Sequence, residues 1–251
     1  MPLLPPPATV RTRVPLPLRL DDGTSVPAVV VTFDGLVDGR EHLALALGDR
    51  ATVASALLSP SGCPPAAAAA GAPLVRVHSE CLTGDVLGSR RCDCGPQLHE
   101  GLRRIGEAGG YLLYLRQEGR GIGLYAKLDA YGLQDDGLDT YDANVALGFA
   151  EDARDYTVAA QMLHALGAPT VALMSNNPDK AAQLTLLGVD VTARVPTGAH
   201  VCAANARYLA AKVSRHAHTI VLPSAPIAGS SGPDGDRDER AAVEGDHAQL
   251  A

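Results

Sequence analysis

The sequence predicts an α/β fold, a mixed β-sheet layered with helices, and three observations carry that expectation. Short alternating runs separated by Asp-Gly turns occupy the first fifty residues, in the manner of antiparallel strands. From Leu74 onward, strand-like runs alternate with helix-length segments, which favours a sheet layered with helices. The 251 residues are 46% hydrophobic but only 4% aromatic and contain no Trp, so the core has to be built from Ala, Val and Leu.

Taken in order, residues 1–13 read as a flexible lead, because Pro2, Pro5, Pro6 and Pro7 cannot pair in a central strand. Order is expected from Val14. Leu16–Leu20, Val26–Phe33 and His42–Leu47 form the antiparallel portion, with turns at Asp22-Gly23 and Asp34-Gly35. Residues 59–73, bounded by prolines and holding an alanine run, read as a surface insertion. Leu74–His78 is a strand; Leu98, Leu102 and Ile105 mark one face of a helix ending at Gly109-Gly110. Tyr111–Leu115 is the next strand, followed by a Gly-rich loop and helices near Leu124–Leu133 and Tyr156–Leu166. Strands at Thr170–Met174 and Val189–Arg194 and a helix around Tyr208–Val213 complete a catalytic domain spanning 14–222. The segment 223–251 is too polar to repay its ordering entropy and reads as a disordered acidic tail.

Charge bounds the partners. The formal net charge is -7, yet six of 28 acidic and two of 21 basic residues lie in the tail, leaving 22 against 19 in the body. An acidic, aromatic-poor chain is not a nucleic-acid binder, but a nearly balanced body can hold a locally basic pocket. No apolar run long enough for a membrane span exists, and the proline-broken N-terminus lacks a signal peptide's apolar core. Five cysteines without a secretion signal are expected to stay reduced, which places the chain in the cytoplasm.

The strongest chemical signal is Cys81, Cys92 and Cys94. Three thiolates fill three of zinc's four tetrahedral positions, and a fourth left to water makes such a site catalytic instead of structural. Alternatives are a cysteine that only fills core, or closure into a four-thiolate structural site by Cys63 or Cys202. A second signal is RQEGRGIG, Arg116–Gly123, directly after a strand. Its glycines let backbone N–H groups approach phosphate while Arg116 and Arg120 add charge-assisted bonds; an ordinary tight turn is the competing reading. The run DTYDANVALGFAEDARDY ends with Asp152, Arg154 and Asp155 at a helix start, where the dipole explains Asp155 but not Arg154. SNNPDK, Ser175–Lys180, is either a helix cap with Lys180 in solvent or a polar rim facing a ligand.

Together HSECLTGD, RCDCG, RQEGRGIGL, YGLQDDGLDT, NVALGF and SNNPDK, in that order, resemble the GTP cyclohydrolase II family from about Arg76 to His218. The resemblance implies a homodimer that uses one zinc per chain and magnesium with the triphosphate. It also implies conversion of GTP to formate, pyrophosphate and 2,5-diamino-6-ribosylamino-4(3H)-pyrimidinone 5′-phosphate, the first step of riboflavin biosynthesis. Carried over by motif, Cys81, Cys92 and Cys94 resemble the zinc ligands. Arg76, Val77, His78, Ser79, Glu80, Gln97, Glu118, Gly119, Arg120, Thr140, Ser175 and Lys180 resemble the GTP contacts. Asp152 resembles the proton acceptor, Arg154 the family's proposed nucleophile toward the α-phosphorus, and Tyr131 the tyrosine beside the metal-bound water; an arginine pKa above about 12 favours a role for Arg154 in phosphate chemistry over covalent attack. Ser175 stands where the family usually has Thr and keeps the hydroxyl. Rival readings are a homologue that stops at a formylated pyrimidine or GMP, a non-catalytic GTP-binding protein, and a zinc knuckle.

Overall fold

The computed structural model describes residues 4–58, 71–150, 153–202 and 204–205. Among the described residues, nine strands and seven helices run in the order β1 (Thr9–Pro15), β2 (Leu18–Arg19), β3 (Ser25–Val26), β4 (Ala28–Asp34), β5 (Leu43–Leu47), α1 (Asp49–Ala56), β6 (Leu74–Ser79), α2 (Leu82–Asp85), α3 (Cys94–Ala108), β7 (Gly110–Leu115), α4 (Leu124–Asp135), α5 (Thr140–Ala146), α6 (Thr157–Ala165), β8 (Thr170–Met174), α7 (Pro178–Leu186) and β9 (Asp190–Val195). A 3-10 turn at Glu118–Gly121 sits between β7 and α4. No helix among the described residues is long and apolar enough to cross a membrane.

Seven strands make one mixed sheet in the order β1-β4-β5-β7-β6-β8-β9, while β2 and β3 form a separate hairpin. Pairing is antiparallel from β1 to β7 and parallel from β7 to β9. The expected α/β architecture is therefore present, as an antiparallel half joined to a parallel half.

Period-two alternation distributes the side chains between two cores. Val75, Val77, Tyr111, Leu113 and Leu115 face the larger core with Val158, Ala159, Met162 and Leu163 of α6. Leu112 faces the other way, packing with Leu102 and Ile105 of α3 and with Leu20 and Val26. Arg76 and His78 lie out of phase with Val75 and Val77, so β6 presents two polar residues to the α3 side of the sheet.

One boundary of the sequence reading needs correction. Order begins before Val14, because Thr9–Pro15 pairs with Ala28–Asp34 as an edge strand. Residues 9–14 hold no proline and alternate β-branched with polar side chains, and an edge strand tolerates the flanking prolines that a central one would not. The expected strand Leu16–Leu20 shrinks to Leu18–Arg19 in the small hairpin. Helices α1, α2 and α5 lie in stretches that gave no clear period. Positions 59–70 of the expected insertion, the helix around Tyr208–Val213 and the tail from 223 lie outside the described residues.

The start of the β6–β7 ladder has no room for a side chain: a Cβ on Gly110 would overlap the Leu74 carbonyl oxygen. Gly110→Ala should therefore destabilise the protein by about 1–3 kcal/mol, read as a lower urea midpoint at unchanged slope. Gly132→Ala on exposed α4, where nothing lies within 4 Å of the new methyl, should be neutral or stabilising by about 0.5–1 kcal/mol.

Candidate active site

A parallel sheet collects ligand-facing loops at the carboxyl ends of its strands, and here β6, β7 and β8 deliver theirs to one cavity. After β6 come Glu80 and Cys81; after β7, Glu118, Gly119 and Arg120; after β8, Ser175, Asn176 and Asn177. Arg76, Val77, His78 and Ser79 of β6, Cys92, Cys94 and Gln97 around the start of α3, Tyr131 of α4, Thr140 of α5, Arg154 and Lys180 complete the sequence-expected set in its wall. Asp152 lies outside the described residues. Arg116 is not among the wall residues; its half-exposed guanidinium pairs with Glu80 at 2.9 Å.

The three cysteines converge because a short helix turns the chain back on itself. Cys81 precedes α2, Cys92 lies in the following turn, and Cys94 opens α3. Their sulfurs lie within 4.8 Å of one another, with Cys81 and Cys92 at 3.6 Å. Gly84 makes this possible, since a Cβ there would stand 2.7 Å from the Cys92 sulfur and 3.1 Å from that of Cys81. Cys202 does not close the cluster. Its thiol reaches the Arg90 carbonyl at 3.6 Å; Cys63 lies outside the described residues.

Titration of the cluster follows from crowding. The Cys81 thiol is driven far down because Cys92 and Cys94 hydrogen-bond to its sulfur; burial opposes this, and the Lys127 ammonium adds to it. Cys92 is pushed up to about 11 by the same contact with Cys81, and Cys94 is raised well above its ordinary value. Crowding thus opposes ionisation of all three together, and a cation seated among the sulfurs is what would let all three ionise. The donor set fits a soft divalent metal such as zinc.

Around the sulfurs stands a shell that the sequence assigns only in part, through His78, Glu118 and Tyr131. Asp85, with its side chain 2% exposed, accepts hydrogen bonds from the Cys81 N–H, the Tyr114 hydroxyl and His78 Nε2, at 2.9–3.1 Å. His78 also stacks on Tyr114, with ring centroids 5.5 Å apart. Burial pushes the His78 imidazole down. Lys127 donates to the Cys81 sulfur, to Thr83 Oγ1 and to Glu118 Oε1, and Glu118 Oε2 accepts the Leu82 N–H at 2.6 Å. The Tyr131 ring lies under the Arg91 guanidinium at 4.4 Å, and burial pushes its phenol up, so the hydroxyl stays protonated. Of these residues Asp85, Arg91 and Lys127 sit inside the quoted motifs or one helical turn beyond, and only their unexplained charge beside cysteines could have singled them out.

The phosphate-loop expectation acquires a specific geometry. Gly119 and Arg120 adopt successive left-handed conformations, φ 61° and 60°, and Arg120 is the single non-glycine residue with positive φ among those described. Backbone held in that region by a side-chain-bearing residue is strained and marks a functional turn. The Arg120 guanidinium lies 4.3 Å from the Tyr141 ring centroid. At the opposite rim Lys180 is not in solvent, since its ammonium donates to the Val77 carbonyl at 2.8 Å and lies over Tyr156. Asn177 caps α7 by accepting the Asp179 N–H. Arg76 is buried beneath the floor, bonded to Gln97 at 2.8 Å, with its Nε unmatched by a partner among the described residues. Among the described residues, Arg76, Arg120, Lys127, Arg154 and Lys180 face the cavity against Glu80 and Glu118. An acidic chain therefore carries a cationic pocket, suited to a polyanion.

Fold and site define an α/β protein with a three-cysteine cluster that could hold a metal ion beside a basic cavity. A family model described as GTP cyclohydrolase II matches residues 18–196, and the chain belongs to the GTP cyclohydrolase II family. Among its relatives, the GTP cyclohydrolase-2 of Vibrio cholerae is 46% identical over 215 residues, covering 86% of this chain and all of the relative. That of Psychromonas ingrahamii is 41% identical over 213 residues, 85% of this chain and 98% of the relative. The riboflavin biosynthesis protein RibBA of Bacillus subtilis is 46% identical over 212 residues, 84% of this chain but 48% of its own length.

The Lys127–Glu118 pair is buried, with side chains 12% and 9% exposed. Lys127→Met should strand a carboxylate that keeps only two backbone donors, costing about 2–3 kcal/mol in denaturant unfolding. Adding Glu118→Gln should recover part of that loss. Breaking the exposed Arg103–Glu107 pair by Arg103→Ala should cost no more than about 0.5 kcal/mol.

Proposed function

We propose that this protein is a GTP cyclohydrolase II of riboflavin biosynthesis, hydrolysing GTP to formate, pyrophosphate and 2,5-diamino-6-ribosylamino-4(3H)-pyrimidinone 5′-phosphate. The observation that carries this reading is the meeting, in one cavity, of the three cysteines with Arg120, Arg154, Ser175 and Lys180. Such a cavity can hold a triphosphate at its cationic rim while a purine reaches the sulfurs.

Cys81, Cys92 and Cys94 would hold one zinc ion per chain. When bound through three thiolates, zinc supplies Lewis acidity and makes water a nucleophile near neutral pH. The chain's own residues divide the remaining work. Arg120 and Lys180, with magnesium on the triphosphate, offset the phosphate charge. Arg154 stands at the α-phosphate with Asp152 as proton acceptor, and one water cleaves the α–β anhydride. Since a guanidinium stays protonated, Arg154 acts there by charge. Tyr131, protonated and pinned beneath Arg91, donates or passes a proton while a water adds at C8 and the imidazole ring opens; a second water releases formate. Arg76, Gln97 and Ser175 face the base and ribose. We take the catalytic unit to be residues 14–222, extended back to Thr9 by its edge strand, and to work as a cytoplasmic homodimer.

Purified protein should carry about one zinc per chain by elemental analysis. Cys92→Ser should lose both the metal and ring opening; full zinc with full activity in that variant would overturn the ligand assignment.

Function is tested by incubating the protein with GTP, Mg2+ and Zn2+ and quantifying formate, pyrophosphate and the pyrimidine by mass analysis. The two chemistries should separate in the variants. Cys92→Ser should still release pyrophosphate and leave GMP, Arg154→Ala should release none, and Tyr131→Phe should keep pyrophosphate release while slowing formate production. Equal loss of every product in Cys92→Ser, with the fold intact by circular dichroism, would refute separable sites.

A further inference from the structure

The segment joining β4 to β5 does not line the cavity, yet two of its side chains, Arg40 and His42, converge on one residue of a loop that does, and a third, Asp38, ties those two together. His42, 2% exposed, accepts a hydrogen bond at Nδ1 from the Arg116 N–H at 2.9 Å, and its Nε2 lies 2.9 Å from Asp38 Oδ2. A ring nitrogen that accepts from a backbone N–H carries no proton, so the tautomer follows: Nε2 holds the hydrogen and donates it to Asp38. Arg40 completes the set. Its guanidinium donates to the Arg116 carbonyl at 2.8 Å, while Asp38 Oδ1 accepts the Arg40 N–H at 3.1 Å.

Both backbone polar groups of Arg116 are thereby held by side chains from another part of the chain. The sheet cannot do this, because the β5–β7 ladder ends where Leu43 meets Tyr114, two residues short of Arg116. Two residues further on the chain enters the cavity as Glu118, Gly119 and Arg120, the last two in left-handed conformations. A strained turn persists only where its surroundings over-determine it.

We infer that Asp38, Arg40 and His42 form a positioning clamp that, through the backbone of Arg116, holds the Glu118–Arg120 turn in its cavity-facing shape. The three are positioning residues and touch no substrate. The clamp rests on the reading of Arg120 as a phosphate contact only for its effect on GTP; its effect on the loop is independent of that reading.

Two near-isosteric variants isolate the bond. Asn places its amide oxygen where His carries Nδ1, so His42→Asn keeps the acceptor for Arg116 and gives up Asp38. Gln places its amide nitrogen where His carries Nε2, so His42→Gln keeps Asp38 and gives up Arg116. Hydrogen exchange on the peptide covering Arg116–Gly121 of the ligand-free protein should be faster than wild type in His42→Gln and close to wild type in His42→Asn. GTP turnover should show KM raised about tenfold in His42→Gln, with kcat within about threefold, and KM within about twofold in His42→Asn. Matching behaviour of the two variants in exchange would overturn the clamp, as would a fall in kcat at constant KM. Absence of GTP turnover in the wild-type protein would refute the proposed function, while the exchange comparison would still decide the clamp. Should His42→Gln fail to fold, Arg40→Met, at a half-exposed position, carries the same test: faster exchange supports the clamp and unchanged exchange refutes it.

Discussion

The parallel ladder between β6 and β7, six residues of each strand from Leu74–Gly110 to Ser79–Leu115, is the constraint on which the rest of the molecule depends. It sets two loops side by side at one sheet edge, the cysteine-bearing turn after Ser79 and the arginine-bearing turn after Leu115. Its alternation sends Val75 and Val77 into the larger core and turns Arg76 and His78 toward α3. A slip of one residue would exchange those faces, burying an arginine and a histidine in an apolar layer. Hydrophobic burial on one face thus fixes the chemistry available on the other.

Electrostatics then decides what the cavity can receive. Charges of one sign gathered in a partly dry pocket are costly unless something opposes them. Here some of the oppositions are local: Lys127 sits against Glu118 and the Cys81 sulfur, and Asp85 answers His78 and the Cys81 N–H. Arg120, Arg154 and Lys180 line the remaining rim. Three crowded thiols that disfavour one another's ionisation, beside a cationic rim, form a pocket whose chemistry suits a soft cation and a polyanion. Proximity of the two places positions a purine nucleotide between them in the proposed function, and the backbone of Arg116 links that pocket to residues 38–42 on its far side.

Much of this was legible in the sequence, and the reason is spacing. Cys81, Cys92 and Cys94 are close enough along the chain for one turn and one helix start to gather them, and RQEGRGIG directly after an apolar run announces a turn at a strand end. The strands from Leu74 to Arg194 were readable because buried parallel strands are short apolar runs separated by helix-length segments. Thr9–Pro15 was missed because neighbouring prolines masked an edge strand, and α5 because its polar side chains cap and line the cavity without following a core period. Asp85 and Lys127 carried no signal beyond charge; what distinguishes them is burial against sulfur, which composition does not report.

By itself the sequence determined the α/β class, the three-cysteine cluster and the family to which the chain belongs, since each is written in residues near one another or in fixed order. Only the tertiary structure decided that Arg116 pairs with Glu80 while Arg120 lies over Tyr141 in the cavity wall, and that Lys180 reaches the Val77 carbonyl instead of solvent. It alone brings Asp38, Arg40 and His42 to a loop more than seventy residues away. The physical reason is that local signals encode periodicity and turn geometry, whereas a hydrogen bond between distant segments exists only after apolar burial has set the strand order and register that bring its partners together.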